Sequence, residues 1–143
     1  MSLKQLNIFV ENKKGALVEI TETLAAHNVN IRALSIADTE EFGILRLIVN
    51  DNETASKILA DKDYLIKITE VVGVKIGDAP GKLSTALAVL DKEDINVEYL
   101  YAFMARTEKH AYVVLRVADN AHAEKALEEA GYHMITDADI NKL

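Results

Sequence analysis

Two short loops hold the residue types in this chain with the most to offer chemically: Asp78-Ala79-Pro80-Gly81-Lys82-Leu83 and Asn12-Lys13-Lys14-Gly15-Ala16-Leu17. Each sets a side-chain oxygen, on Asp78 or Asn12, three residues ahead of a glycine and just before an apolar, helix-like segment. A glycine leaves the backbone N–H groups of a helix start uncovered, and such groups attract a carboxylate. The neighbouring Asp or Asn oxygen can accept from an ammonium group, so the two halves of the loop together suit an amino-acid zwitterion. The plainer reading of one such loop is an ordinary helix start, with Asp78 accepting backbone N–H bonds and Pro80 in the first helical turn. Asn30 and Asn96, which precede Ile31 and Val97 at the start of a later strand, shift the balance. Either asparagine alone could serve a turn, whereas polar groups repeated in both halves near a common seam favour a binding site.

Other chemistries find no support. The four histidines, His27, His110, His122 and His133, lack metal-ligand spacing, and the chain has no cysteine. Gly81-Lys82 is no phosphate loop, because Ile76 stands where the first glycine is needed and Leu83 where Ser or Thr should be. Ser84 falls inside the amphipathic helix, without a nucleophile elbow. Acid pairs such as Glu40-Glu41 and Glu128-Glu129 read as solvated faces. Tyr99 and Tyr101 alternate with Leu100 and share one face of a strand, as a pocket floor or as packing. No catalytic residue, metal site or cofactor is therefore expected.

The loops belong to a repeat. A shift of 66 places puts Gly15, Leu17, Leu24, Asn30 and Leu34 on Gly81, Leu83, Leu90, Asn96 and Leu100. Further on the shift is 68, and Leu47, Val49, Asp51, Asn52, Ala55 and Tyr64 fall on Leu115, Val117, Asp119, Asn120, Ala123 and Tyr132. A unit of this length exceeds a solenoid repeat, so each copy is expected to be a small domain, residues 1–70 and 71–143.

Each copy shows the same order of elements. Alternation at Leu6, Ile8 and Val10, and at Val72, Val74 and Ile76, marks a first strand. Helical spacing follows at Leu17, Ile20 and Leu24 and at Leu83, Leu87 and Leu90, ending near His27-Asn28 and Glu93-Asp94. Strands are then expected over 29–36 and 95–103, turns over 38–43 and 105–109, and strands over 44–49 and 112–117. A second helix carries Ala55 and Leu59, or Ala123 and Leu127, with Gly131 as a C-terminal glycine. Short strands over 65–68 and 133–136 close the copies. The order βαββαβ, twice, is that of ferredoxin-like α+β domains: a four-stranded antiparallel sheet with both helices on one face and spatial order 4-1-3-2. The apolar second strand would lie at an edge, and its pairing with the other copy's would give one continuous eight-stranded sheet.

Composition limits the partners. At 143 residues, half of them apolar, the chain can bury a core, while each copy alone lies where a core is marginal. A net charge of -7 with scattered lysines and arginines offers no footprint for nucleic acid or an anionic membrane. No apolar run approaches the ~20 residues of a membrane span, nor does the start read as a signal peptide, so a cytoplasmic location is expected.

At these residues the chain resembles the ACT domain family of small regulatory modules. The resemblance rests on Asn12 and Asp78, the latter two residues before Pro80-Gly81, on the apolar helices, and on Val29-Asn30-Ile31 and Ile95-Asn96-Val97. It implies a free amino acid bound between paired domains, to regulate an enzyme or another protein partner. Asn12 and Asp78 would hold the ligand's polar groups, with Lys14, Ala16, Leu17, Ala79, Lys82 and Leu83 around them. The backbone at Gly15 and Gly81 would meet its carboxylate, and Asn30-Ile31 and Asn96-Val97 would complete each site from the opposite copy. Lys14 departs from the pattern, where proline is usual. The Asp78 loop, with its negative charge and its proline, is expected to bind more tightly. The competing reading is a structural or subunit-interaction protein with degenerate loops, and further assembly into a homo-oligomer fits either.

Overall fold

Strand alternation and helical spacing convert into elements in the computed structural model, which describes residues 2–38, 42–104 and 109–143. The parts of the two expected turns at 39–41 and 105–108, and the Glu40-Glu41 pair, lie outside the described residues. The elements run β1 (Leu3–Glu11), α1 (Ala16–Ala26), β2 (Ile31–Asp38), β3 (Phe42–Val49), α2 (Asn52–Asp61) and β4 (Ile66–Gly77). They continue through α3 (Lys82–Lys92), β5 (Tyr99–Ala102), β6 (His110–Arg116), α4 (Asn120–Glu129) and β7 (His133–Ile135) to a 3-10 helix over Asp137–Lys142. None of the described helices is long and apolar enough to cross a membrane.

The chain divides into two units. The first is Lys4–Thr69; the second is Glu70–Leu143, joined by Ser2 and Leu3. In the first the strand order is β2-β3-β1-β4, in the second β5-β6-β4-β7, and the paired strands are antiparallel. Both match the 4-1-3-2 order that right-handed crossovers require. Leu6, Ile8 and Val10 of β1 point to the same side as Leu45 and Leu47 of β3, and there they meet Ile20 and Leu24 of α1 and Ala55 and Leu59 of α2. The second unit repeats this with Val72, Val74, Val113 and Leu115 against Ala86, Leu90, Ala123 and Leu127.

Three expectations need correction. The strands among the described residues number seven, not eight, because the last strand of one copy and the first of the next form a single strand, β4, with no break at Thr69-Glu70-Val71. Among the described residues β2 pairs with β3 alone and β5 with β6 alone, so a ladder between these edges is not among the pairings that make up the fold. The strand expected over 95–103 is regular only over Tyr99–Ala102, although Glu98 N–H still bonds to the Arg116 carbonyl at 2.8 Å and Phe103 N–H to the Tyr112 carbonyl at 2.9 Å. The closing 3-10 helix had no apolar period to announce it; a reciprocal capping box between Thr136 and Asp139 starts it.

The four described α-helices stop in one way. The residue after each C-cap is left-handed: Asn28 (φ 58°), Asp63 (φ 67°), Asp94 (φ 58°) and Gly131 (φ 95°). The next N–H reaches back to the fifth residue before it, as Val29 to Leu24, Tyr64 to Leu59, Ile95 to Leu90 and Tyr132 to Leu127, at 2.9–3.1 Å. This is the Schellman closure, which satisfies carbonyls the helix end would orphan. Gly131 therefore has the role its type suggests, and at the other three positions an Asn or Asp tolerates the conformation at some cost. Replacing Asn28, Asp63 or Asp94 with glycine should raise stability by up to about 1 kcal/mol each. A higher urea midpoint with an unchanged m-value is the expected readout.

Candidate functional site

The two loops singled out by their chemistry sit at corresponding places, between β1 and α1 and between β4 and α3. Each must turn the chain from the sheet to the helix layer within a few residues, and a left-handed glycine makes that turn: Gly15 at φ 89° and Gly81 at φ 86° are the N-caps. A Cβ at either would meet nothing within 4 Å, so glycine is required here by backbone conformation and not by crowding.

The consequence appears in how the helices begin. Asp51 accepts from Thr54 N–H at 3.1 Å and Asp119 from His122 N–H at 3.2 Å, so α2 and α4 carry side-chain caps. Helices α1 and α3 carry none. Asp78 thus does not cap α3, and its own N–H donates to the Lys109 carbonyl at 3.0 Å. Pro80 precedes the N-cap glycine and lies outside the first helical turn. The two helix starts left without a side-chain cap are those in the candidate loops, where the exposed ends of the peptide dipoles favour an anionic group.

In the first unit the loop borders a cavity of about 70 Å³ lined by Val10, Glu11, Asn12, Lys13, Ala16, Leu17, Ile36 and Gly43. One ordered water needs roughly 10–15 Å³ by this measure, so the space admits a polar head group but not a whole large amino acid. Asn12, Ala16 and Leu17 are brought together here. Lys14 and Gly15 instead line a broader cleft of about 730 Å³ with Phe9, Phe42, Lys62 and Tyr64. Burial, followed by a hydrogen bond with Glu19 and the charge of that carboxylate, raises the Tyr64 phenol above its ordinary pKa. Asn30 is exposed and its backbone is tied to Asn50: its N–H donates to Asn50 Oδ1 at 2.8 Å and its carbonyl accepts from Asn50 N–H at 3.2 Å. Ile31 packs against the first core. In the second unit Asp78, Ala79, Gly81, Lys82 and Asn96 are exposed, while Leu83 and Val97 pack against the second core.

Sequence reasoning missed Ile36 and Gly43. A bulge between Ile31 and Ala33 resets the alternation, so Leu34 and Ile36 stand opposite Leu47 and Leu45 on the helix side of the sheet. Both remain partly open, Leu34 at 42% and Ile36 at 48%, beside Leu17 at 43%. No unpaired apolar run signals such a bulge in sequence. Among the described residues no group of His, Asp or Glu could hold a metal ion.

The chain matches the ACT domain pair over residues 1–143 and belongs to that family. It is similar to protein BT0572 from Bacteroides thetaiotaomicron, at 40% identity and a TM-score of 0.92, over 100% of this chain and 98% of that one. Its fold is also that of the ligand-free regulatory subunit of aspartate kinase from Thermus thermophilus, at 12% identity and a TM-score of 0.65, covering 91% and 93% of the two chains. The aspartokinase alpha and beta subunits share it at 18% identity and a TM-score of 0.61, over 87% of each chain. No curated protein sequence matches the chain.

The contrast between capped and uncapped helices has a pH signature. Thr54 Oγ1 at 2.7 Å and Thr54 N–H hold the Asp51 carboxyl below its ordinary pKa of 3.8. A depressed folded-state pKa contributes stability above the unfolded value and loses it as pH falls through the folded one. The difference in melting temperature between the native chain and Asp51→Ala should therefore be full at pH 6 and shrink progressively below about pH 4.

Proposed function

We propose that this ACT domain pair is a non-catalytic regulatory protein that binds a free amino acid where two ACT-like copies meet. The uncapped helix start at Gly15, beside the Asn12 cavity, carries this reading, because α2 and α4, which lie outside the two candidate loops, are closed by an aspartate. Backbone N–H groups there would take the ligand carboxylate, and the Asn12 oxygen its ammonium. A cavity of about 70 Å³ encloses a head group only, so the rest of the ligand needs a facing copy, with Asn30 or Asn96 completing the site. Ligand binding would then bias how the copies associate, which is the form a regulatory signal takes. The fold shared with aspartate kinase regulatory subunits supports an enzyme as the regulated partner, and a cytoplasmic location suits such a role.

The competing reading, a subunit-interaction protein that takes no ligand, draws on exposed Leu34 and Ile36 of the edge strand β2, with Leu17 of α1 beside Ile36. An apolar edge strand is a pairing surface, and a further copy of the chain adding there would make a homo-oligomer. The two readings separate in a thermal-shift screen of the twenty amino acids. A ligand that binds only the native state adds about 2.7 kcal/mol at a hundredfold excess over Kd, which is roughly 5–10 °C for a chain of this size. One or a few amino acids should reach that shift, and Asn12→Ala should abolish most of it. Twenty flat melting curves, with β2 protected from hydrogen exchange in a concentration-dependent way, would favour the ligand-free reading instead.

A further inference from the structure

The two loops differ in what covers the strand end before them. In the second unit a Cβ built on Gly77 would lie 3.0, 3.1 and 3.3 Å from Cγ, Cδ and Cε of Lys82. The aliphatic stem of Lys82 therefore lies across the last residue of β4. Long basic side chains commonly rest their stems on the protein in this way and leave the ammonium in water.

The repeat shows what stands there in the other copy. Displaced by 66 places, Gly77 corresponds to Glu11 and Lys82 to Ala16. In the first unit these two residues line the cavity beside Asn12. Ala16 adds only a methyl group, and the Glu11 carboxylate is drawn to Lys13 Nζ at 3.3 Å. A small side chain thus leaves open the space that a lysine stem covers in the second copy.

We infer that Lys82 plugs the second loop, so that the chain takes one ligand, at the Asn12 loop, and not two. This rests on the reading of the loops as amino-acid sites. It reverses the order that charge alone suggests: Asp78 is the stronger acceptor for an ammonium, but the space at the adjoining end of β4, over Gly77, is taken by the stem of Lys82. Gly77 is the complement of the plug, since a Cβ there would press on the stem and force it to give way by a few tenths of an ångström.

Calorimetric titration with each of the twenty amino acids tests the plug. The native chain should bind with one site per chain, and Lys82→Ala, which copies Ala16, should bind with two. Lys82→Met keeps the stem without its charge and should stay at one site. The reciprocal pair Ala16→Lys with Glu11→Gly should lower binding at the first loop at least tenfold. Circular dichroism of each variant checks that it folds. Two equal sites in the native chain would overturn the plug. So would weaker binding in both Lys82→Ala and Lys82→Met, which would make the ammonium a ligand contact. Absence of binding by the native chain and by Lys82→Ala alike would overturn the reading of the loops as sites, and the plug with it.

Discussion

The turn from strand to helix at a left-handed glycine is the constraint on which the rest depends. The strands must bury one face under the helices, so the chain has to leave the sheet and enter the helix layer within a few residues. Gly15 and Gly81 do this at φ 89° and 86°. A residue with a side chain would strain the backbone there, and glycine has no side chain with which to cap the helix. The loop that makes the fold possible therefore also leaves helix N–H groups available. The uncapped helix start follows from the needs of the architecture, before any residue is chosen for a ligand.

Much of this was legible in sequence because it repeats. Two copies of one apolar pattern, in register, constrain the element order far more than one copy could, and the βαββαβ order and strand arrangement follow from periodicity and handedness. Gly131 was legible because glycine at a helix end has few other uses. The loops were legible because Gly15, Gly81, Asn12 and Asp78 combine backbone freedom with side-chain oxygens.

What stayed hidden depends on geometry that the residue types do not encode. The bulge at Arg32 moves Ile36 into the cavity lining, yet the string Ile31 to Ile36 shows no special residue. The tie that fixes the Asn30 backbone comes from Asn50, twenty residues away, and nothing near Asn30 in the chain announces it. The continuity of β4 could be suspected from the missing linker, but two strands fused end to end have the same apolar pattern as two strands in succession. Lys82 reads in sequence as an ordinary helix-start lysine, and only the position of its stem over Gly77 gives it a role.

A second pair of equivalent positions shows how far the copies have parted while keeping one backbone plan. Asn7 and Gly73 correspond across the 66-residue shift. In the first unit Asn7 fills its place on the sheet with a polar network, donating from Nδ2 to the Lys67 carbonyl at 2.9 Å and to Thr69 Oγ1 at 2.8 Å, and accepting from Gln5 Nε2 at 2.8 Å. In the second unit Gly73 has no side chain, and Leu3, fully buried, lies against it beside Ile135. One solution satisfies buried polar atoms and the other buries a leucine; both are closed, because an unpaired polar group or a void at that place would cost stability. The loops are under no such compulsion, since they face water and can differ without loss of fold. Asymmetry at the sheet can therefore be neutral, whereas asymmetry at the loops, Ala16 against Lys82, changes the surface each copy presents to solvent.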